Sequence, residues 1–121
     1  DAKLEVKAPD SLNKTDRIVD IGPKTRVLYK SIIEHAKVIV YNGPMGYCEI
    51  NTFCAGTKFI AKAIADKTSS AVTIVGGGDT VPVLERLKIA DKFTLLSTGG
   101  SAMLKFLAGK KLPGLEVLKI N

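Results

Sequence analysis

Ala71-Val72-Thr73-Ile74-Val75-Gly76-Gly77-Gly78-Asp79-Thr80 is the stretch that sets the fold class of this chain. Its first half is a short, continuous, β-branched run without polar alternation, which reads as a strand buried on both faces. Three consecutive glycines end the strand. The apolar positions that follow, Val83, Leu84 and Leu87, recur at helical spacing. Asp79 is placed to cap that helix, and Pro82 falls in its first turn, where a missing N–H costs little.

The same pattern stands on either side. Lys37-Val38-Ile39-Val40-Tyr41 is a strand ended by Asn42-Gly43-Pro44-Met45-Gly46, and residues 51–67 read as a helix with Phe53, Gly56, Ile60, Ala63 and Ile64 near one face. Phe93-Thr94-Leu95-Leu96 is a strand ended by Ser97-Thr98-Gly99-Gly100, and a last helix follows with Met103, Leu104 and Leu107 inward and Gly109 near its end. Upstream, Arg17-Ile18-Val19-Asp20-Ile21 reads as a further strand turned by Gly22-Pro23. Residues 24–36 read as a helix with Val27, Leu28, Ile32 and Ile33 inward, and residues 4–7 are a candidate edge strand. Apolar strands alternating with helices predict an α/β fold of three layers, a parallel sheet with helices on both faces. Right-handed crossovers then carry the strand-to-helix turns to the carboxyl edge of the sheet. Gly22, residues 42–46, residues 76–80 and residues 97–100 are expected to meet there. No linker or composition shift divides the 121 residues, so 1–121 reads as one domain.

Helix N-termini present unpaired N–H groups and a positive dipole end, and glycine lets an oxyanion approach the backbone. Gly76-Gly77-Gly78-Asp79-Thr80 adds a hydroxyl that can donate to phosphate. It also adds a carboxylate that would repel phosphate unless a cation such as Mg²⁺ bridges the two. Ser97-Thr98-Gly99-Gly100-Ser101 offers donors at the next helix start, suited to a phosphoryl group in transfer. Glu49 either accepts from ribose hydroxyls or complements a helix dipole. Asp20 reads as a turn former and His35 as a surface cation or cap. There is no G-x-x-x-x-G-K-[ST] loop, since Gly56-Thr57-Lys58 lies within a helical pattern, and no G-x-G-x-x-G follows a strand.

Lys and Arg outnumber Asp and Glu by 18 to 12, a net charge of +6 that reads as a solvated lysine surface or as a field attracting anions. No basic run alternates with aromatic residues, which argues against a nucleic-acid partner. No apolar run approaches the roughly 20 residues that span a bilayer. Cys48 and Cys54 have neither CxxC spacing nor a nearby histidine, and they read as reduced structural thiols of a cytoplasmic protein. The chain opens at Asp1 without an initiator Met or an apolar leader, so sequence upstream is expected.

The turns together resemble phosphoglycerate kinase. The resemblance rests on Asp20-Ile21-Gly22-Pro23, Tyr41-Asn42-Gly43-Pro44-Met45-Gly46 with Glu49, Phe53-Cys54-Ala55-Gly56-Thr57, Gly76-Gly77-Gly78-Asp79-Thr80, Ser97-Thr98-Gly99-Gly100 and Leu112-Pro113-Gly114, in the family's order and spacing. It implies phosphoryl transfer between 1,3-bisphosphoglycerate and ADP, giving 3-phosphoglycerate and ATP, with Mg²⁺ bound alongside ATP or ADP, in a cytoplasmic, glycolytic, monomeric enzyme of two lobes. It implies a nucleotide-binding set of Asn42, Gly43, Pro44, Glu49, Gly76, Gly77, Gly78, Asp79 and Thr80. Within that set, Asn42 and Thr80 would meet phosphates, Pro44 would line the adenine side, Glu49 would hold ribose, and Asp79 would hold the metal–nucleotide complex. Gly99 and Gly100 would stabilise the transferred phosphoryl. Tyr41 stands where the family usually has Trp, and Ser101 where it usually has a third glycine. The chain looks like the C-terminal segment of a partial Rossmann-like nucleotide lobe. The lobe that grips 3-phosphoglycerate is absent, so the segment is expected to be inactive alone. The other reading from the residues is a standalone, non-catalytic α/β module that binds an anion or a protein.

Overall fold

The structure, a computed structural model, describes residues 4–118. Its element order is α1 (Pro23–His35), β1 (Val38–Asn42), α2 (Ala55–Lys67), β2 (Val72–Gly76), α3 (Val81–Arg86), β3 (Leu95–Ser97), α4 (Gly100–Leu107) and α5 (Pro113–Leu118). The three strands form one parallel sheet in the order β1-β2-β3. Asn42 is in register with Gly76, and Gly76 with Ser97, so the three strands end level with one another.

Strand alternation assigns the two faces. Ile39, Tyr41, Val75 and Leu96 point to the face where Ile33 of α1, Ile60 and Ile64 of α2 and Leu84 of α3 form the core. Thr73 is buried on the same face, where its hydroxyl bonds Thr68 and accepts from the Thr94 N–H. On the other face α4 sets Met103 against Gly76, where a Cβ would come within 2.6 Å of the methionine Cε. That contact covers only the carboxyl end of the sheet. Val38 and Leu95, further back on this face, are 63% and 51% exposed, and Val40 and Val72 are exposed beside them. The layers are helices, sheet and helix, with the α4 layer partial.

The α/β parallel class stands as expected, and the differences lie at its margins. Residues 17–21 form no strand, and neither do residues 4–7. Val19 and Asp20 instead run beneath the loop after β1, where the Tyr47 N–H donates to the Val19 carbonyl at 2.8 Å. Gly22 therefore follows no strand, and its close neighbour is Val6 rather than the other turns. On α1 only Ile33 is buried, and Val27, Leu28 and Ile32 face outward. On α4 Met103 is buried, while Leu104 and Leu107 are exposed. Asp79 does not cap α3, whose first turn has no side-chain cap. Gly109 closes α4 in the left-handed conformation, φ 71°, as the C-terminal glycine reading requires.

The two faces differ in what their side chains contribute. Leu84→Ala, at a fully buried position, should lower unfolding free energy by about 3 kcal/mol, measured by denaturant titration. Val38→Thr with Val40→Thr should leave it within about 0.5 kcal/mol and reduce concentration-dependent association seen by sedimentation. A wild-type chain that stays monomeric at high concentration would show that the open face is not adhesive.

Candidate functional site

The level strand ends bring three turns into contact. Asn42 closes β1, and its Oδ1 stands 3.1 Å from where a Gly76 Cβ would sit and 3.3 Å from where a Gly77 Cβ would sit. Gly77 has φ 106°, a conformation open to glycine and strained for other residues. The Gly43 N–H donates to Thr80 Oγ1 at 3.1 Å, which ties the first turn to the second. Gly100, φ 43°, brings the third turn in, with Gly77 Cα 3.7 Å from its Cβ position. Asn42, Gly43, Gly76, Gly77, Thr80 and Gly100 therefore share one edge, as the order of strands and helices anticipated.

The second and third turns keep polar groups without protein partners among the described residues. Among the described residues the backbone N–H groups of Gly78 and Asp79 have no partner, and Gly78 has open space around its Cα. The Asp79 carboxylate is exposed and makes no hydrogen bond or ion pair. Thr80 is fully buried and its oxygen accepts from Gly43, but its own proton remains free to donate. Gly99 donates to Ser97 Oγ at 3.1 Å, whereas Gly100 and Ser101 occupy the first positions of α4, which have no intrahelical acceptor. No group of three or more His, Cys, Asp or Glu side chains gathers among the described residues. Asp79 offers one exposed carboxylate that could face a phosphate-bound cation.

Pro44 is half-buried in the loop after β1, and Glu49 is exposed on a turn beyond it. Two features beneath this loop escaped the sequence reading. The first is Thr57, fully buried in α2, whose Oγ1 accepts from Met45 N–H at 2.9 Å and Gly46 N–H at 3.3 Å. The second is Asp20. Its carboxylate accepts from Ile21 N–H at 2.8 Å, from Gly56 N–H at the start of α2 at 2.7 Å, and from Arg26 Nη2 at 3.3 Å. A Cβ on Gly46 would strike the Phe53 carbonyl oxygen and Asp20 Oδ1, and one on Gly56 would strike Asp20 Oδ1. The Asp20-Ile21-Gly22-Pro23 and Phe53-Cys54-Ala55-Gly56-Thr57 motifs thus meet under the first turn. Only the separation of Asp20 and Gly56 in sequence hid it. Tyr41 lies in the same support, and burial pushes its phenol up to about 12. Among the described residues nothing meets its hydroxyl in full hydrogen-bonding geometry, although Thr57 and Met45 lie close to it.

Cys48 and Cys54 are joined by a disulfide with Cα atoms 4.4 Å apart, which corrects the expectation of two reduced thiols. The turn at residues 48–49 and the 3-10 segment Asn51–Cys54 fold the chain back on itself. Spacing by six residues gave no hint of this, because in an extended chain those residues would lie well apart.

Comparison with known proteins follows the same boundaries. Residues 1–110 match the family model of phosphoglycerate kinase. The phosphoglycerate kinase of Herpetosiphon aurantiacus is 46% identical over 118 residues, which cover 98% of this chain and 29% of that protein. That of Dictyoglomus turgidum is 50% identical over 119 residues, covering 98% of this chain and 30% of that protein. The structure of phosphoglycerate kinase from Coxiella burnetii superposes with a TM-score of 0.84 at 42% identity, over 98% of this chain and 30% of that one. The chain thus spans about 30% of the length of the relatives it matches.

Asp20→Ala strands the Gly56 and Ile21 N–H donors and the Arg26 guanidinium. It should lower stability by about 2–3 kcal/mol in chemical denaturation. Hydrogen exchange should rise first at residues 43–47 and 56. Unchanged exchange there would mean that Asp20 does not hold the turn.

Proposed function

The chain belongs to the phosphoglycerate kinase family, and on that premise we propose that it is the C-terminal segment of a nucleotide-binding lobe. In the whole enzyme it would contribute to phosphoryl transfer between 1,3-bisphosphoglycerate and ADP. The observation that carries this reading is the convergence of Asn42, Gly77, Thr80 and Gly100 at one sheet edge. Glycine-lined turns and free N–H groups at helix starts suit a chain of phosphates.

The roles proposed for these residues are those that the family resemblance implies. Asn42 and Thr80 hold nucleotide phosphates, with Gly43, Gly76, Gly77 and Gly78 giving the backbone its close approach. Pro44 lines the base side and Glu49 reaches the ribose hydroxyls. Asp79 would hold the Mg²⁺ that accompanies the nucleotide, and the ion would neutralise phosphate charge. Gly100, with Gly99 once its N–H turns from Ser97, presents donors to the phosphoryl group in transfer. Catalysis of this kind rests on positioning and charge stabilisation, so backbone donors fixed by the sheet register suffice as its protein part. The 3-phosphoglycerate site would lie on a lobe that these residues do not form. In the described residues no helix is long and apolar enough to cross a membrane. A cytoplasmic, monomeric enzyme is the setting proposed for the whole protein.

Titrating ADP with Mg²⁺ into the chain should shift the amide resonances of residues 42–49, 76–80 and 99–101, with a dissociation constant in the millimolar range. Asp79→Ala should remove the Mg²⁺ dependence of those shifts. A coupled assay should find no turnover. Shifts confined to residues remote from the three turns would refute the assignment, and turnover by the isolated chain would refute its dependence on a second lobe.

A further inference from the structure

The loop that carries Glu49 is closed by a covalent bond. Cys48 and Cys54 flank residues 49–53, and both pack with Val83 of α3 and with Leu87 just past the end of that helix. Just before the bridge the Tyr47 N–H is held by the Val19 carbonyl at 2.8 Å, and the hydrogen bonds within residues 48–53 are local among the described residues. The Ile50 N–H donates to the Tyr47 carbonyl at 3.2 Å, the Phe53 N–H to the Ile50 carbonyl at 2.9 Å, and Lys58 bonds Asn51. Residues 49–52 are exposed. The bridge therefore fastens the Cys48 end of residues 49–53 directly to Cys54, which leads into α2 and packs beside Val83 of α3.

We propose that Cys48–Cys54 is a dithiol-exchange site whose oxidation state sets the order of the Glu49 loop and thereby the affinity for nucleotide. The affinity part rests on the nucleotide reading above. The co-reactant is a small dithiol or a protein dithiol. Cys48 is 8% exposed and Cys54 1%, so the incoming thiolate attacks the Cys48 sulfur. The S–S bond breaks, Cys54 leaves as a thiolate and takes a proton. The second thiol of the reductant, deprotonated, then attacks its mixed disulfide with Cys48, which leaves and is protonated in turn. Two electrons and two protons pass to the chain, giving two thiols, and the dithiol becomes a disulfide. Oxidised, the loop holds Glu49 in place before the ligand arrives. Reduced, the loop must be ordered on binding, which weakens affinity by about three- to tenfold.

The test uses the 121-residue chain, air-oxidised or treated with dithiothreitol. Thiol titration should count no free thiol before reduction and two after. Hydrogen exchange should rise at residues 48–53 on reduction and stay constant in β2. The dissociation constant for ADP with Mg²⁺ should rise by the factor above. Cys48→Ser with Cys54→Ser should match the reduced wild type, with or without dithiothreitol. Should that variant not fold, the oxidised and reduced wild-type samples decide alone. Two thiols in the oxidised chain, or equal loop exchange in both states, overturns the site. Equal ADP affinity in both states overturns its control of binding and leaves the nucleotide reading standing. ADP shifts in neither state overturn the nucleotide reading and the control with it, while the loop exchange still reports on the dithiol chemistry.

Discussion

Parallel pairing in register is the constraint on which the rest depends. Asn42, Gly76 and Ser97 lie side by side because β1, β2 and β3 share direction and end level. Each strand is followed by a helical segment on its way to the next, so its turn must emerge at that same edge. The turns then approach closely enough that ordinary side chains would collide. Gly76 makes room for Met103, and Gly77 makes room for Asn42 and Thr80. The glycines are thus required by packing even without a ligand. A surface built for close backbone approach becomes a surface that an oxyanion can also approach.

The interior half of this arrangement was legible in the sequence. β1, β2, β3 and α2 are short apolar or amphipathic runs bounded by glycine turns, and local pattern suffices for them. Residues 17–21 misled because Ile18, Val19 and Ile21 have strand-like chemistry. What decides their path is Asp20, whose carboxylate satisfies donors from α2 and α1 that no local pattern announces. α1 misled in a different way. Its apolar stripe predicts burial, yet Val27, Leu28 and Ile32 are exposed and Ile33 alone reaches the core. The disulfide was illegible because its geometry depends on how residues 48–54 turn.

The outward stripe of α1 and the open face of the sheet share a physical signature. Val38, Val40, Val72 and Leu95 follow the two-residue period of a sheet face packed on something, and Val27, Leu28 and Ile32 follow the helical one. Contiguous apolar surface of this kind is unusual on an isolated monomer. The chain spans about 30% of the length of its relatives. A pattern that is periodic but uncovered is a face with the chemistry for packing that nothing among the described residues covers.

The supports under the turns also bear on how a hydroxyl can serve structure and ligand together. Thr57 and Thr80 are both fully buried and both accept backbone N–H groups from the loop after β1. A hydroxyl has one proton and two lone pairs, so accepting from the chain does not consume its capacity to donate. At Thr57 the proton lies within the support of the loop, beside the buried Tyr41 phenol. Thr80 follows Gly78 and Asp79 in sequence, whose N–H groups have no partner among the described residues. The same residue type, equally buried and in the same accepting role, stands inside a helix in one place and beside free donors in the chain in the other. The difference is the strand end: Thr57 sits within α2, whereas Thr80 sits at the edge where the sheet stops and backbone donors have no protein acceptor left.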